Sequence, residues 1–253
     1  MKPRVLVVGL GEIGQPLMEL LSQAYEVHGK DLEPLALDRA DVLHVCYPYQ
    51  IDDFVGTTVE YIRQYQPKLV IINSTVVPGT TRRISQQAKM PIVYSPIRGK
   101  HARMKEDLMR YTKFVAGTDL QATEQAVVHF EKAGLRVATM SSCEALELAK
   151  LLETTYFGLL IAWAQEMERF CREVGADYDE VMKFTEEIDF LPPVIFQPGY
   201  IGGHCVIPNT FLLDRVRRSS FVEAIRTSNE LKAEEWQRMG KPLDVRLSPK
   251  PKK

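Results

Sequence analysis

Through the first half of the chain, short apolar blocks alternate with stretches of helical periodicity. Arg4-Val5-Leu6-Val7-Val8 is apolar at four consecutive positions, as a parallel strand buried on both faces requires. Further strands are predicted over 25–29, 42–46, 69–72, 92–94, 114–116 and 136–139, with helices over 52–65, 80–88 and 119–133 between them. The connection over 31–40 is too short for more than a stunted helix. Such β–α alternation predicts an α/β fold, a Rossmann-type doubly wound parallel sheet. The pattern then changes. From Ser141-Ser142, which supply cap candidates, one helix is predicted over 143–174, ended by Gly175. Leu148, Leu152, Leu159, Trp163 and Phe170 share an apolar face on it; so long an apolar face packs against another domain or a second subunit. A small, mainly helical C-terminal domain completes the fold class. The expected domains are 1–140 (nucleotide-binding), 141–245 (helical, for dimerisation and substrate) and a disordered, basic, proline-rich tail at 246–253.

The first strand runs into Gly9-Leu10-Gly11-Glu12-Ile13-Gly14, with Leu17, Leu20 and Leu21 at helical spacing beyond it. In a strand–turn–helix setting this pattern is a dinucleotide fingerprint. Gly9 permits the tight turn, Gly11 the approach of a pyrophosphate, and Gly14 the close packing of helix on strand, while the helix N-terminus offers free N–H groups to the phosphates. Asp31 closes the second strand, roughly 20 residues on, where a carboxylate accepts bonds from ribose hydroxyls and repels a 2′-phosphate. NAD is therefore favoured, although Lys30 leaves room for NADP. Ser74 and Thr75, after the 69–72 strand, lie at the carboxyl edge where such sheets bind ligands; the alternative is a capped loop with Thr80 as N-cap.

Composition narrows the class. Net charge is −1 and hydrophobic residues make up 45% of 253, so nothing points to nucleic acid or a membrane surface. No apolar run approaches the roughly 20 residues of a membrane helix, and no signal peptide is read at the start. Cys46, Cys143, Cys171 and Cys205 lack paired or metal-ligand spacing, as suits reduced thiols in a cytoplasmic protein. Cys205 stands apart in Gly202-Gly203-His204-Cys205. Backbone N–H groups of such a turn can lower a thiol pKa and bind an oxyanion; the alternative is a buried structural cysteine. Lys150 and Thr154 share a helix face; by composition alone a solvated lysine is the better reading.

These motifs together resemble the UDP-glucose/GDP-mannose dehydrogenase family, most closely its UDP-N-acetyl-sugar members. The resemblance rests on Gly9 through Leu17, Ser74 through Thr81, Tyr94-Ser95-Pro96-Ile97-Arg98, Glu147 through Glu153, and Gly202-Gly203-His204-Cys205. It implies oxidation of a nucleotide sugar's primary alcohol with NAD, Cys205 trapping the aldehyde and Lys150 stabilising the developing oxyanion. It also implies a dimer formed through the long helix. Two further catalytic positions fall on Thr154, where the family has asparagine, and on Asn209, where it has aspartate. Ile97 replaces the family's glutamate, and the family's C-terminal nucleotide-binding domain is not found in this sequence. Two proton-handling carboxylates are thus lost, which makes ordinary activity on UDP-sugars doubtful. Substrate-binding candidates are Arg98, Lys100, His101 and Arg103, a cationic loop suited to an anion, with Gly202, Gly203 and His204. A metal is not expected, since His204-Cys205 lacks further ligands at zinc spacing. Three readings follow: a shortened NAD-dependent dehydrogenase of this family acting on a small sugar-like or anionic substrate; a β-hydroxyacid-type dehydrogenase using Lys150 without the thiol; or a non-catalytic NAD-binding partner module.

Overall fold

The computed structural model describes residues 2–243 and 250–251. The chain forms two compact units, Met1–Lys150 and Leu151–Lys253. In the first, β1 (Arg4–Val8), β2 (Glu26–Lys30), β3 (Val42–Val45), β4 (Leu69–Ile72), β5 (Val93–Tyr94), β6 (Lys113–Gly117) and β7 (Val137–Thr139) build one sheet in the order β2-β1-β3-β4-β5-β6-β7. The helices are α1 (Gly14–Leu21), α2 (Phe54–Tyr65), α3 (Thr80–Ala88), α4 (Met104–Arg110) and α5 (Leu120–Lys132). No helix lies between β2 and β3, as the short connection requires.

Side-chain alternation along β1 explains why both faces are covered. Val5 and Val7 pack with Leu17 and Leu20 of α1, Leu108 of α4 and Phe130 of α5. Leu6 and Val8 point the other way, into a cluster with Phe54 and Ile62 of α2 and Ile84 of α3. A strand with an apolar residue at every position is stable only between two such layers. The doubly wound fold is as expected, with one difference. β6 pairs antiparallel with β5, Val93 opposite Gly117 and Tyr94 opposite Ala116. The two-residue β5 is followed by the short α4, and the chain returns along the same edge instead of crossing over.

The helix predicted over 143–174 is present as α6 (Cys143–Val174). Ser142 Oγ accepts from the Ala145 N–H at its start. Cys143 and Leu146 belong to the apolar cluster of the first unit. In the second unit, α7 (Tyr178–Met182), α8 (Val206–Asp214) and α9 (Ser220–Arg238) accompany the rest of α6. Ile161, Ala162, Ile201, Val206 and Ile225 form the core there. A second cluster holds Ala164, Cys171, Tyr178, Met182 and Ile195. Buried Lys232 on α9 bonds Glu168 and Glu235, and Arg169 and Arg172 of α6 also reach Glu235. Burial opposes the Glu235 charge, yet these three cations bring its pKa down to about 2. β8 (Val194–Ile195) pairs with β9 (Lys250–Pro251). The rest of the tail predicted to be disordered lies outside the described residues. Among the described residues no helix is long and apolar enough to cross a membrane, and no cluster of metal-ligating side chains occurs.

Candidate active site

The glycine loop between β1 and α1 has the geometry that its sequence calls for. Gly9 has φ +89°, and a Cβ there would lie 2.6 Å from the Tyr47 backbone nitrogen. At Gly14 a Cβ would lie 1.8 Å from the Gly9 carbonyl oxygen. At Gly11 a Cβ would meet nothing within 4 Å. The first and third glycines are thus demanded by packing, whereas the second faces open space. Glu12 and Ile13 complete the turn, and Ile13 as N-cap leaves the first turn of α1 without a side-chain cap. Within that turn the Gln15 N–H donates to the Gly11 carbonyl at 3.2 Å and the Leu17 N–H to the Ile13 carbonyl at 3.3 Å, and Pro16 has no N–H. Asp31 Oδ2 accepts the Leu10 N–H at 3.3 Å, which sets the carboxylate beside the loop. Lys30 Nζ turns back onto the Asp31 carbonyl oxygen. These residues fit a dinucleotide: an open backbone cradle and an acid at the neighbouring strand end.

At the carboxyl edge of β4 the side chains divide. Ser74 is buried, and its hydroxyl donates to the Tyr47 carbonyl oxygen at 2.6 Å. Thr75 is half-buried. The alternative reading, with Thr80 as N-cap, does not hold: Gly79 occupies that position, and the Thr80 hydroxyl donates back to the Val77 carbonyl. The cap comes instead from Glu147 of α6. Its carboxylate, fully buried, accepts from Gly79 N at 2.6 Å, Thr81 N at 2.9 Å and Thr81 Oγ1 at 2.6 Å. Burial raises its pKa against the pull of those donors. Glu147 lies one turn before Lys150, which is half-buried. Local sequence gives no sign of this role, since a cap supplied from so far along the chain has no pattern around it.

Between β3, β4, β5 and α5 runs a buried polar chain that the sequence did not reveal. Asn73 Nδ2 donates to the Ser95 carbonyl at 2.7 Å, so its Oδ1 faces His44 Nδ1 at 2.8 Å. In the neutral ring Nδ1 must then be the donor. His44 Nε2 consequently accepts from His129 Nε2, 2.9 Å away. Burial holds His44 well below its ordinary pKa and brings His129 to about 4. Lys113, also buried, donates to the carbonyls of Ser95 and Pro96 at 2.7 and 3.0 Å. Burial lowers its pKa to about 7, with Arg98 and Lys150 adding to the effect and Cys46 opposing it.

The loop after β5 is thus anchored from beneath. Ile97, where the sequence resemblance leads one to expect a glutamate, is buried in the cluster that holds Met104 and Leu108. The cationic residues beyond it are largely engaged. Arg98 donates to the Thr112 carbonyl at 2.6 Å and lies over the Phe114 ring. Asp107 accepts from the Lys100 N–H at 2.9 Å and from Arg103 Nε at 3.1 Å. Burial works against the Asp107 charge, but those donors lower its pKa. The Lys100 side chain is exposed at the loop surface. His101 begins a 3₁₀ turn, and its side chain lies outside what is described.

In the second unit, Cys205 is the N-cap of α8 and is partly exposed, whereas Cys46, Cys143 and Cys171 are buried. Burial raises both Cys46 and Cys143 to about 12. Gly203 has φ +80°, a conformation that glycine adopts without strain, and a Cβ there would meet nothing within 4 Å. Gly202 and His204 complete the turn, with His204 exposed. Asn209, one turn into α8, donates from Nδ2 to Thr154 Oγ1 at 3.1 Å, and Thr154 Oγ1 donates to the Leu151 carbonyl. One turn beyond Thr154, a Cβ on Gly158 would come 2.5 Å from Val206 Cγ1.

Comparison with known proteins agrees with the motifs. Residues 144–231 match the central domain of the UDP-glucose/GDP-mannose dehydrogenase family. A UDP-N-acetyl-D-mannosamine dehydrogenase of Methanocaldococcus jannaschii is 25% identical over 282 residues, covering 90% of this chain and 65% of that relative. A UDP-N-acetyl-D-glucosamine 6-dehydrogenase of Salmonella typhi is 28% identical over 153 residues, 54% of this chain and 35% of that protein. The solved UDP-D-ManNAc dehydrogenase of Pyrococcus horikoshii superposes with TM-score 0.77 at 19% identity, covering 94% of this chain and 72% of its own. A 3-hydroxyisobutyrate dehydrogenase of Mycobacterium tuberculosis shares the fold at TM-score 0.70 and 15% identity, with 94% of each chain covered. The chain spans 65% of the length of the first curated relatives it matches. The chain is thus related to the nucleotide-sugar dehydrogenases, with its match to the UDP-glucose/GDP-mannose dehydrogenase family lying in that family's central domain.

Proposed function

We propose that this relative of the nucleotide-sugar dehydrogenases is an NAD-dependent dehydrogenase that oxidises a CH–OH group of a small sugar-like or anionic substrate. NAD, when bound, would supply the hydride acceptor for each two-electron oxidation. Gly9, Gly11 and Gly14, in the turn that leads into α1, would hold its pyrophosphate, and Asp31 would receive the ribose hydroxyls. Lys150 stabilises the oxyanion that develops as the alcohol becomes a carbonyl. Cys205 adds to the resulting aldehyde: a C–S bond forms, the carbonyl π bond breaks and the thiol proton passes to its oxygen, giving a thiohemiacetal, which loses hydride to a second NAD and a proton from the hydroxyl to become a thioester. Water then releases the acid and returns the proton to sulfur.

The observation that carries this reading is the Thr154–Asn209 hydrogen bond. Within the second unit it ties α6, four residues past Lys150 in sequence, to α8, four residues past Cys205, at the two positions to which the resemblance gives catalytic roles. The same pair supports a slow last step. A hydroxyl and an amide stand where the family has an amide and a carboxylate, and Ile97 offers no base. Loss of a general base typically slows a step by about 10²–10⁴-fold, so the account has oxidation outrun thioester hydrolysis.

The exposed face of α6 supports a homodimer. Leu152, Tyr156, Trp163, Phe170 and Val174 are each at least 50% exposed. They form one stripe on the helix, a surface that a second copy would cover.

The assay is NADH formation with UDP-N-acetylhexosamines, sugar phosphates and hydroxy acids, alongside calorimetry with NAD. Turnover that Lys150→Ala reduces at least about 10²-fold is expected. Proven NAD binding with no turnover on any of them would leave only a binding module. The shared fold with a hydroxyacid dehydrogenase favours one alternative, Lys150 acting without the thiol. Undiminished product formation by Cys205→Ala would select it.

A further inference from the structure

The segment leading into the glycine turn has no regular secondary structure of its own over residues 196–204, yet two of its buried residues, Gly199 and Ile201, have both backbone N–H and C=O hydrogen-bonded. Asn229 of α9 presents Oδ1 to the Ile201 N–H at 2.7 Å and Nδ2 to the Ile201 carbonyl at 3.1 Å. One side-chain amide thus meets donor and acceptor of a single residue, as a neighbouring strand would. Gln165 of α6 donates Nε2 to the Gly199 carbonyl at 2.7 Å. Ser228 Oγ donates to Gln165 Oε1 at 2.8 Å and accepts from Arg169 Nη1 at 3.0 Å. Because Ile201 N–H can only donate and the Ile201 and Gly199 carbonyls can only accept, both amide orientations are fixed. Gln165 is fully buried, and Asn229 and Ser228 nearly so. Such a buried network stabilises its arrangement only when every member is satisfied.

We infer that Asn229 and Gln165, oriented by Ser228, form a clamp that sets the position of the Cys205 thiol. Ile201 is fixed by the clamp and by its place in the core with Ile161 and Ile225. Val206 is fixed by the same core. Only Gly202, Gly203 and His204 lie between Ile201 and Cys205, so both ends of the turn that bears the thiol are held. The two glycines give the turn its shape, and the clamp supplies the rigidity that they lack. Asn229 and Gln165 are positioning residues, acting through Cys205. Their functional meaning rests on the proposed nucleophilic role of that cysteine, but their mechanical role does not.

The test uses the full chain with Asn229→Ala, with the isosteric Asn229→Asp (which keeps an acceptor for the Ile201 N–H and loses the donor), and with Cys205→Ala. Hydrogen exchange reads the backbone of 198–205. Iodoacetamide labelling, mapped by peptide, reads Cys205 against buried Cys171. The expected result is exchange at Ile201 faster by about tenfold or more, with α9 peptides unchanged. Cys205 labelling changes in the same variants while Cys171 stays protected. Where the wild type turns over, the second oxidation falls at least about tenfold with NAD affinity unchanged, and Asn229→Ala adds nothing to Cys205→Ala. Unchanged exchange and labelling at 198–205 in both variants would overturn the clamp. So would loosening spread evenly over the whole unit, which marks a merely structural asparagine. A wild type without turnover sinks the catalytic reading and leaves the clamp to be decided by exchange and labelling.

Discussion

At Ile97 an aliphatic side chain stands where the resemblance leads one to expect a glutamate. The loop that would present a carboxylate instead buries an aliphatic group among Met104 and Leu108. Restoring the acid by Ile97→Glu is therefore expected to cost stability, several kcal/mol by analogy with other unpaired buried charges (~3–5 kcal/mol), and to leave thioester release slow. Chemical denaturation paired with product analysis checks this; a stable Ile97→Glu protein with faster acid formation would contradict it. The buried histidines carry a pH signature. His129 titrates at about 4 in the fold against 6.5 as its ordinary value, and burial shifts His44 the same way. Both folded pKa values are depressed, so protons bind the unfolded chain more readily. The stability they contribute is present above about pH 6.5 and is lost as pH falls toward 4. Melting temperature should decline over that window, and the decline should be shallower in His129→Phe. Equal slopes in the two proteins would remove the pair from the account.

At the scale of elements, α6 organises the second unit through its two faces. Thr154, Gly158, Ile161, Gln165 and Arg169 recur at three- or four-residue spacing and so line one side. They meet in turn Asn209, Val206, Ile201, the Gly199 carbonyl and Ser228. Lys150 continues the same row by one turn. Leu152, Tyr156, Trp163, Phe170 and Val174 take the opposite side. Of this row only the shared face of Lys150 and Thr154 was read from the sequence, because spacing shows which residues align but not what each of them touches. Gly158 tests the row most simply. Gly158→Ala should destabilise by ~1–3 kcal/mol through overpacking against Val206. Val206→Ala in the same chain should recover part of that loss, because the two changes relieve one contact. Simple additivity in a denaturation cycle would show that the helices do not meet there.

For the whole molecule, the parts legible in sequence were those fixed by periodicity and turn chemistry. The continuous apolar strands, the Gly9–Gly14 turn, Asp31 and the extent of α6 needed no tertiary knowledge. What escaped notice was held by hydrogen bonds between distant residues, such as Glu147 onto Gly79 and Thr81 or Asn229 onto Ile201. The antiparallel β6 also escaped, since apolar blocks do not encode strand direction. The apolar stripe on α6 yields a prediction at this scale. Sedimentation should give a dimer, and Trp163→Glu with Phe170→Glu should give a folded monomer, because paired charges on a buried apolar face are strongly unfavourable. A wild-type monomer would assign the stripe another role.

The central claim is that a thiol on the second unit captures a carbonyl generated with NAD. Intact-mass analysis of the protein after mixing with NAD and whichever of the assayed substrates releases NADH measures this most directly. The account predicts a covalent acyl adduct that maps to Cys205, forms with NADH release and is absent from Cys205→Ala. NADH release at full rate by Cys205→Ala, with no adduct on the wild-type chain, would contradict it.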